Sequence, residues 1–516
     1  MDYRAEYEKW LHSDALNDAE KAELRAIEND DKEIESRFYA PLSFGTAGLR
    51  GTMAVGLHNM NVHVIRWATE GFARVIAAEG EEAKRKGVAI CMDCRLNGMD
   101  FARATAEVFC GNGIRVRIFE ALRPTPELSF AVREYGCQAG VNVTASHNPK
   151  EYNGYKVYWA DGAQLPPRHA DKIADELTRI DIFKDVKRMP YDEAVKAGMI
   201  TVMGEETDEK FLAEVMNMVN DYEVVKQVAD DFKVVYTPFH GCGYKLVPEA
   251  LKRLGVEKLF CVAEQMEPDG NFPNGVPNPM LLENRRETAG RVVAEKADLG
   301  VSWDGDFDRC FLFDAQGNFV DAYYIIGLLA EVFLAKEPGA KIMYDPRLRW
   351  NVEETVERLG GKKVIYKSGH AFMKECMRKE GVLYGGESSA HHYFRDFTCC
   401  DSGMLPWLLV YQYLSVTGKS LQQAVGERMA MFPVSGEINR KVTNAPEILA
   451  RIKEKYADGI YDDIDGVSVA YAEWRFNVRT SNTEPVMRLN VETRGDKKLL
   501  EAKTAELLAM IGGEEA

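Results

Sequence analysis

The sequence contains no long apolar run. No stretch approaches the roughly 18 to 20 apolar residues of a membrane span. The charged N-terminus, MDYRAEYEKWLHSDALNDAEKAEL, also has no apolar core such as a signal peptide carries. We therefore predict a cytoplasmic protein that has no membrane partner.

Basic residues are also fewer than acidic ones. The chain has 65 Lys and Arg against 81 Asp and Glu, which gives a net charge of −16. A nucleic-acid binder or a membrane-surface protein needs a basic face, so we expect no nucleic-acid partner. If the ligand is an anion, the cations that bind it must be gathered in a few loops of a cleft.

Cysteines at metal-binding spacing are scarce. The ten cysteines include one C-x-x-C pair, Cys91 and Cys94, and one adjacent pair, Cys399 and Cys400. A redox C-x-x-C usually opens a helix, whereas this one ends the strand-like run VAICMDC, and no second C-x-x-C stands at zinc spacing. Reduced thiols in a cytosol are the favoured interpretation, and a redox pair is the alternative.

No low-complexity linker divides the 516 residues, and at about 150 residues per domain the length predicts three to four domains. After charged helices over 1–40, strand and helix signals alternate in three rounds that begin near residues 88, 232 and 340. We predict an α/β protein: three tandem α/β domains with mixed sheets plus a smaller C-terminal α+β domain, arranged around a central cleft. The predicted domains are 1–200, 201–315, 316–430 and 431–516.

The loop TASHNPKEYNGYK follows a predicted strand, and ligands gather at the carboxyl ends of strands in open parallel sheets. It displays the Ser146 hydroxyl beside His147. The dipeptide Asn153-Gly154 favours a tight turn that would direct Lys156 back to the same place. The alternative is an ordinary turn in which Ser and Asn serve as turn formers.

A second polar loop, SWDGDFDRC, carries alternating carboxylates at Asp304, Asp306 and Asp308. An extended segment would place all three on one side, where they suit Mg²⁺ or a similar hard cation. A solvated acidic turn is the alternative. An EF-hand fails because its sixth position is Arg309 and its twelfth is Ala315, where Gly and Glu are required.

The third loop, YGGESSAHHYF, can bend sharply at its two glycines. It presents Glu387 with Ser389, and a carboxylate accepts hydrogen bonds from paired sugar hydroxyls. His391 and His392 are interpreted as packing or structural residues, and zinc ligands are the alternative, which no partner spacing supports.

The fourth loop, VRTSNTEP, offers a run of donors at Arg479, Ser481, Asn482 and Thr483. Such a run fits a phosphate dianion, to which an arginine can bind bidentately. Arg50 adds a cation in the Gly-rich string GTAGLRG, which lacks the Gly-Lys-Ser/Thr ending of a Walker loop.

The four motifs, TASHNP, DGDFDR, GESSA and RTSNT, resemble those of the α-D-phosphohexomutase superfamily, the phosphoglucomutases and phosphomannomutases, and occur in the same order. The resemblance covers about 43–492. It implies four domains around a cleft. It also implies a phosphoserine enzyme that gives its phosphate to a hexose monophosphate and, after the hexose 1,6-bisphosphate turns end for end, recovers the other phosphate.

The resemblance further implies the site residues. At the reacting end it implies catalytic roles for Ser146, His147, Lys156, Arg50 and Arg309. As Mg²⁺ ligands it implies Ser146, through its phosphate, and Asp304, Asp306 and Asp308. As sugar-binding residues it implies Glu387, Ser389 and His370, the last in the segment SGHAF. As ligands of the non-reacting phosphate it implies Arg479, Ser481, Asn482 and Thr483.

The implied cofactors are Mg²⁺ and hexose 1,6-bisphosphate, and the implied partner is a small sugar phosphate bound by a monomer or dimer. Lys156 and His147 are the candidates for the group that takes the hydroxyl proton. The string GESSAHHYFRDF departs from the family's common Gly-Glu-Met-Ser-Gly at Ser388 and Ala390 and looks most like bacterial phosphomannomutases. By contrast, SFGTAGLRG and NPKEYNGYK resemble the phosphoglucomutase and phosphopentomutase branch.

Mannose, glucose or both are therefore open as substrates, with phosphopentomutase activity as a further option. A phosphatase that uses Asp304 as its nucleophile would leave Ser146 without a role. A non-catalytic sugar-phosphate binder would leave the catalytic motifs unexplained.

Overall fold

A computed structural model describes residues 2–45, 48–219, 222–480 and 486–515. Within these ranges the chain forms four β-sheets, each packed with its own helices. No described helix is long and apolar enough to cross a membrane. All ten cysteines are free thiols, and burial raises the pKa of Cys94 well above its usual value.

Three short helices precede the first sheet, as the charged N-terminal pattern predicts. They are α1 (Tyr3–Leu11), α2 (Asp18–Ala26) and α3 (Asp31–Phe38). Side-chain caps begin all three, since Asp2, Asn17 and Asp30 each accept a backbone N–H of the first turn. Their apolar faces, with Trp10 and Phe38, pack into the core of the first sheet.

The first sheet has six strands in the order β1-β5-β4-β2-β3-β6. Its strands are β1 (Leu49–Thr52), β2 (Val88–Met92), β3 (Val116–Phe119), β4 (Ala139–Val143), β5 (Tyr152–Trp159) and β6 (Ile200–Met203). Strands β4, β2, β3 and β6 are parallel to one another. Strand β5 pairs antiparallel with β4, and β1 pairs antiparallel with β5. The helices of this unit are α4 (Val62–Ala78), α5 (Glu81–Lys86), α6 (Gly98–Gly111), α7 (Thr125–Glu134), α8 (Pro167–Leu177) and α9 (Tyr191–Lys196).

The second and third sheets each have five strands and are also mixed. The second contains β7 (Val234–Thr237), β8 (Leu259–Cys261), β9 (Leu299–Trp303), β10 (Cys310–Phe313) and β11 (Phe319–Val320). Its helices are α10 (Glu205–Asn217), α11 (Tyr222–Ala229), α12 (Gly243–Arg253) and α13 (Arg286–Glu295). The third contains β12 (Lys341–Tyr344), β13 (Lys362–Ile365), β14 (Tyr384–Gly386), β15 (His392–Phe394) and β16 (Cys400–Asp401). Its helices are α14 (Ala322–Lys336), α15 (Trp350–Arg358), α16 (His370–Glu380), α17 (Met404–Thr417) and α18 (Leu421–Met431).

The fourth sheet is antiparallel, in the order β18-β19-β20-β21-β17-β22. Its elements are β17 (Ile438–Lys441), α19 (Ala445–Lys455), β18 (Ile460–Asp462), β19 (Val467–Ala470), β20 (Trp474–Thr480), β21 (Val486–Thr493), α20 (Lys497–Ile511) and β22 (Glu514–Glu515). Three α/β units and a smaller α+β unit are thus present, which confirms the predicted fold class.

The sheets divide the chain slightly differently from the predicted domains. Strand β6 pairs in parallel with β3, so the first sheet continues past the predicted boundary at residue 200. The two-residue strand β11 pairs with β10, so the second sheet continues past the predicted boundary at residue 315. Both are short edge strands, and such strands are too brief to leave a periodic signal.

The fourth unit is docked onto the third by a fully buried ion pair, Arg475 with Glu492, at 2.6 Å. Arg475 donates to the backbone carbonyls of Pro346 and Arg347, at 2.7 and 2.9 Å. Glu492 accepts the backbone N–H of Arg349 at 2.8 Å and that of Trp350, where α15 begins. The segment that leads into α15 is therefore held directly by the fourth sheet.

Candidate active site

Ser146 lies just beyond the end of β4 in a backbone conformation that few L-residues adopt, with φ of +54°. The buried guanidinium of Arg95 holds this loop by donating to four backbone carbonyls, those of Ser146, Asn148, Pro149 and Tyr152, at 2.6 to 3.0 Å. A strained residue persists only where its surroundings fix it. The Ser146 loop is therefore a rigid, preformed element.

The Ser146 hydroxyl points into the second unit. Its Oγ donates to Oδ2 of Asp304 at 2.7 Å and lies 3.4 Å from the Arg309 guanidinium. His147 Nδ1 is 3.2 Å from the same oxygen and also contacts Arg309. Burial, reinforced by Arg309, holds the pKa of His147 well below its usual value, so this imidazole is neutral.

The acidic loop after β9 is a compact turn, and the predicted extended conformation is wrong. Phe307 has φ of +65° and its ring stacks on Trp303 with centroids 4.8 Å apart. The turn nevertheless brings Asp304, Asp306 and Asp308 together, with one oxygen of each within 4.8 Å of the others. The packing of the Phe307 ring, which the alternation of carboxylates in the sequence does not reveal, fixes this turn.

This trio of buried carboxylates fits a hard cation. The Oδ1 atom of Asp306 is buried and has no hydrogen-bond partner among the described residues, and an orphaned carboxylate oxygen in a dry site calls for a positive ligand. Burial, with the nearby Asp308 and Asp306, raises the pKa of Asp304 to about 7 although Arg309 opposes the shift. A divalent cation would stabilise the ionised form.

The other oxygen of Asp306, Oδ2, is hydrogen-bonded by neighbouring side chains. Its Oδ2 accepts the Thr125 hydroxyl at 2.7 Å, and Thr125 in turn accepts from Asn142 at 2.7 Å. These contacts fix the orientation of the Asp306 carboxylate within the trio. Fixing a ligand through its neighbours is how proteins build metal sites.

Lys156 reaches the acidic loop from within a strand. Asn153 and Gly154 are residues of β5, so the predicted tight turn there is wrong; an added Cβ at Gly154 would lie 2.3 Å from the Thr144 carbonyl. The glycine thus allows β5 to approach closely. Lys156 Nζ contacts Asp306 and Asp308, the latter at 3.0 Å, and these carboxylates hold its pKa above the usual value although burial alone would lower it.

Arg50 lies in β1, at the edge of the same sheet. Its side chain is exposed and donates to Oδ1 of Asn148 at 3.1 Å. The exposed guanidinium beside the Ser146 loop is free to reach a ligand in the cleft.

The sugar loop follows β14 and is held by the third unit. Glu387 is buried, and its two oxygens accept from the Gly369 N–H at 2.6 Å and the Tyr393 hydroxyl at 2.7 Å. Ser389 Oγ lies 3.1 Å from His391 Nδ1 and 3.5 Å from Arg347. Glu387 and Ser389 are therefore presented side by side, with His391 between them and the acidic loop.

His391 connects the two ends of the site. Its Nε2 lies 3.5 Å from Asp308 and its Nδ1 lies 3.6 Å from Glu387. Burial alone would lower its pKa, but Asp308 and Glu387 raise it above the usual value. His370, which begins α16, stacks on His391 with centroids 6.1 Å apart, and burial holds its own pKa well below the usual value. His391 thus makes charged contacts to both loops, whereas His392 is buried and bonded to the Tyr384 hydroxyl.

The fourth loop is described in part. Arg479 ends β20 and lies 3.3 Å from Glu437; Ser481, Asn482 and Thr483 lie outside the described residues. Arg347, at the start of the segment before α15, joins the same cluster and is paired with Asp345 at 2.9 Å. The sequence patterns missed both Arg347 and Arg95, since neither stands in a polar loop motif.

Three units bring their polar loops together around Ser146, the three carboxylates and Glu387, and a fourth unit places Arg479 near Arg347 beside them. This arrangement defines the class. The fold is that of the α-D-phosphohexomutases. Four domain models of this group match in order: the phosphoglucomutase/phosphomannomutase α/β/α domain I over 41–183, domain II over 209–317, domain III over 321–432 and the C-terminal domain over 437–509. The chain belongs to the phosphoglucomutase/phosphomannomutase family.

Its relatives are similar over most of their length. A phosphomannomutase of Escherichia coli is 44% identical over 445 residues, which covers 85% of this chain and 94% of that protein. A Xanthomonas campestris protein named for phosphohexose mutases is 45% identical over 393 residues, covering 75% of this chain and 83% of that protein. This chain is accordingly a hexose phosphate mutase, an isomerase that acts by phosphoryl transfer, as its motifs predicted.

Solved structures share the fold. A phosphoglucomutase/phosphomannomutase family protein of Burkholderia thailandensis superposes with a TM-score of 0.75 at 24% identity, covering 92% of this chain and 98% of that one. The Paramecium phosphoglucomutase known as parafusin superposes with a TM-score of 0.76 at 17% identity, covering 92% and 97%. The four-unit arrangement thus persists at low sequence identity.

Proposed function

We propose that the protein interconverts mannose 1-phosphate and mannose 6-phosphate through a phosphoserine at Ser146, with glucose phosphates as second substrates. The observation that carries the proposal is the contact between the two loops. The Ser146 hydroxyl lies 2.7 Å from Asp304, inside a buried trio of carboxylates. A hydroxyl fixed beside a cation site is the arrangement that phosphoryl transfer requires.

The chain's own residues would position the transferred group. Ser146 Oγ carries it, and Arg309, 3.4 Å away, neutralises its developing charge. Lys156 stays a cation between Asp306 and Asp308 and adds positive charge on the other side. Phosphoryl transfer depends mainly on such positioning and charge stabilisation.

The residues that fit Mg²⁺ are Asp304, Asp306 and Asp308 together with an oxygen of the Ser146 phosphate. When bound, the ion would supply charge neutralisation for the phosphoryl oxygens. Hexose 1,6-bisphosphate belongs to the proposal as the activator that phosphorylates Ser146.

For the hydroxyl proton we propose His391 rather than Lys156 or His147. Lys156 is held protonated by two carboxylates and His147 is engaged by Arg309. His391 lies between Asp308 and the sugar loop, within 3.1 Å of Ser389 Oγ. Its imidazole is thus placed to exchange a proton with a sugar hydroxyl held by Glu387 and Ser389.

The preference for mannose rests on the sugar loop GESSAHHYF and on the E. coli relative named phosphomannomutase. The assay measures turnover of mannose 1-phosphate and glucose 1-phosphate by purified protein with Mg²⁺ and catalytic hexose 1,6-bisphosphate. We expect a higher kcat/KM with mannose. Turnover restricted to pentose phosphates would overturn the substrate assignment, and turnover undiminished in Ser146→Ala would overturn the phosphoserine. A cytoplasmic location stays part of this proposal.

A further inference from the structure

The arginine that holds the Ser146 loop has all of its hydrogen-bond donors in use. Arg95 follows β2, and its side chain is fully buried. Its Nε donates to Asp93 at 3.2 Å, and its two terminal nitrogens donate to the four carbonyls of the Ser146 loop. A guanidinium has five N–H donors in one plane, so each of them has an acceptor. Only the two flat faces of the group remain for contact with other parts of the protein.

A ring from the second unit covers one of these faces. Phe272 stands in the loop 266–275, and the centroid of its ring lies 5.2 Å from Cζ of Arg95. The residue is only 6% exposed. A cation over the face of an aromatic ring is attracted to it, most strongly where water is excluded. The second unit therefore contacts the very group that holds the Ser146 loop of the first unit.

The loop that carries Phe272 is itself fixed by the second sheet. Gln265 is buried, accepts the Thr237 hydroxyl at the end of β7 at 2.7 Å and donates to the Asn274 carbonyl at 2.8 Å. The backbone of Phe272 has φ of +50°, and a bulky residue keeps such a conformation only where its surroundings fix it. The ring is thus held in place independently of Arg95.

The two loops also meet backbone to backbone. A Cβ added at Gly270 would lie 2.6 Å from the Leu96 nitrogen and 2.7 Å from the Cys94 carbonyl oxygen, so no other residue fits there without a shift of the chain. Cys94 and Leu96 stand on either side of Arg95 in the sequence. This contact does not involve the Phe272 ring, and it shows that the loop 266–275 is fitted to the segment that carries Arg95.

We propose that Phe272 is a positioning residue for phosphoryl transfer: its ring fixes the plane of the Arg95 guanidinium and, through it, the Ser146 loop. The inference rests on the proposed function, in which Ser146 carries the transferred group. Donors that lie in one plane reach four carbonyls only when that plane is correctly oriented. Asp304, which accepts the Ser146 hydroxyl at 2.7 Å, belongs to the same unit as Phe272. The second unit therefore fixes both this carboxylate and the loop that presents the hydroxyl to it.

The first test removes the ring and keeps an apolar side chain, as Phe272→Leu. We expect kcat to fall about three- to tenfold with KM unchanged, because a misplaced reacting group slows the chemical step. Rapid-quench measurement of Ser146 phosphorylation by hexose 1,6-bisphosphate should show the same loss. Phe272→Tyr, which keeps a ring face, should recover most of the rate. If Phe272 only fills space, Phe272→Leu lowers the unfolding temperature and leaves kcat of the folded enzyme unchanged, and that result overturns the inference.

The second test asks whether Phe272 acts through Arg95. In a double-mutant cycle, Phe272→Leu should cause no further loss of kcat once Arg95→Lys is present, since the ring then has no guanidinium to hold. Losses that multiply would show that Phe272 acts by another route and would overturn the inference. Tyr191→Leu is the matched control, because Arg103 lies over the Tyr191 ring at the same 5.2 Å. It should leave kcat unchanged.

Hydrogen exchange measured by mass spectrometry separates this inference from the proposed function. The amides of Ser146, Asn148 and Tyr152 donate within their own loop, so their exchange reports its rigidity. We expect exchange over 143–153 to be faster by about threefold or more in Phe272→Leu and unchanged in Tyr191→Leu. Unchanged exchange in Phe272→Leu contradicts the inference.

Faster exchange in Phe272→Leu, together with a wild-type protein that does not turn over hexose phosphates, would support the contact with Arg95 and overturn the proposed function instead. If Phe272→Leu does not fold, Phe272→Met takes its place in all three tests, because its longer side chain fills more of the space left by the ring.

Discussion

The two ends of the cleft are built differently. Around Ser146 three buried cations make short, dedicated contacts: Arg95 donates to four carbonyls, Lys156 contacts two carboxylates and Arg309 is paired with Asp304. Beside Arg479, three arginines lie 3.2 to 3.4 Å from the one carboxylate of Glu437. A reacting end held by short, dedicated contacts therefore differs from an end where three arginines share one carboxylate at longer distances.

This difference matches what each end must do in the proposed reaction. The reacting end handles charge that develops in the transition state, where preorganised groups are most effective. The other end must bind a phosphate attached to either carbon of the sugar and then release it. Short, dedicated contacts at one end and longer, shared contacts at the other are thus complementary.

The largest expected effect is at the serine. Ser146→Ala should reduce kcat by at least about 10³-fold, since no phosphoserine can form. Mutase turnover with hexose 1,6-bisphosphate is the measurement, and mass spectrometry checks that the added phosphate is lost. Because the side chain is small and its loop is held by Arg95, the variant's thermal unfolding should match that of wild type. Near-normal turnover would mean that the preorganised end is not the reacting end.

Metal removal should have the next largest effect. Chelation should lower kcat by about 10²-fold or more, because Asp304, Asp306 and Asp308 would repel the transferred phosphoryl group. Adding Mg²⁺ should restore activity and raise the unfolding temperature, since an ion that binds only the folded state stabilises it. Asp306→Asn should abolish that rise. A chelated enzyme of full activity would contradict the assignment of the acidic trio.

Much of the fold was accessible from the sequence because its signals are local. Strands β2 and β4 are each a short apolar run that ends at a polar loop, which is a signal that can be read from the sequence alone. The four polar motifs were recognised because each follows or joins strands, where the fold gathers its ligands. Edge strands such as β6 and β11 were missed because they are too short for periodicity.

What the sequence could not give depends on contacts between distant residues. Arg95 is 51 residues from Ser146 along the chain, and nothing in its neighbourhood marks it as a clamp. The turn at Phe307 is held by the Gly403 N–H, which donates to the Phe307 carbonyl at 3.2 Å. The contacts of His391 depend on Asp308, which lies in the loop after β9, in another unit. Each is a tertiary determinant that overrides local propensity.

Arg95→Lys tests whether the rigidity of the reacting end matters. A lysine keeps the positive charge, but its ammonium group cannot donate to the four carbonyls that the planar guanidinium of Arg95 contacts. We therefore expect kcat to fall about 10- to 100-fold with little change in KM. Rapid-quench measurement of Ser146 phosphorylation by hexose 1,6-bisphosphate should show the same loss. Arg103→Lys is the control, because Arg103 is exposed and packs over Tyr191. A change confined to KM would argue that Arg95 shapes substrate binding instead.

Glu387→Ala probes the recognition end and should have the smallest effect on chemistry. Removing the carboxylate deletes the acceptor for sugar hydroxyls and frees the Gly369 N–H and the Tyr393 hydroxyl. We expect KM for hexose phosphates to rise about tenfold, the cost of one charged hydrogen bond. Phosphoserine prepared beforehand should persist in the variant, since none of the Ser146 contacts involves Glu387.

Asp396→Asn, which changes an exposed carboxylate after β15, is the matched control and should leave KM and kcat unchanged. Loss of Ser146 phosphorylation in Glu387→Ala with an unchanged KM would contradict this division of roles. It would mean that the sugar loop and the Ser146 loop act together, through His391, in the phosphoryl transfer itself.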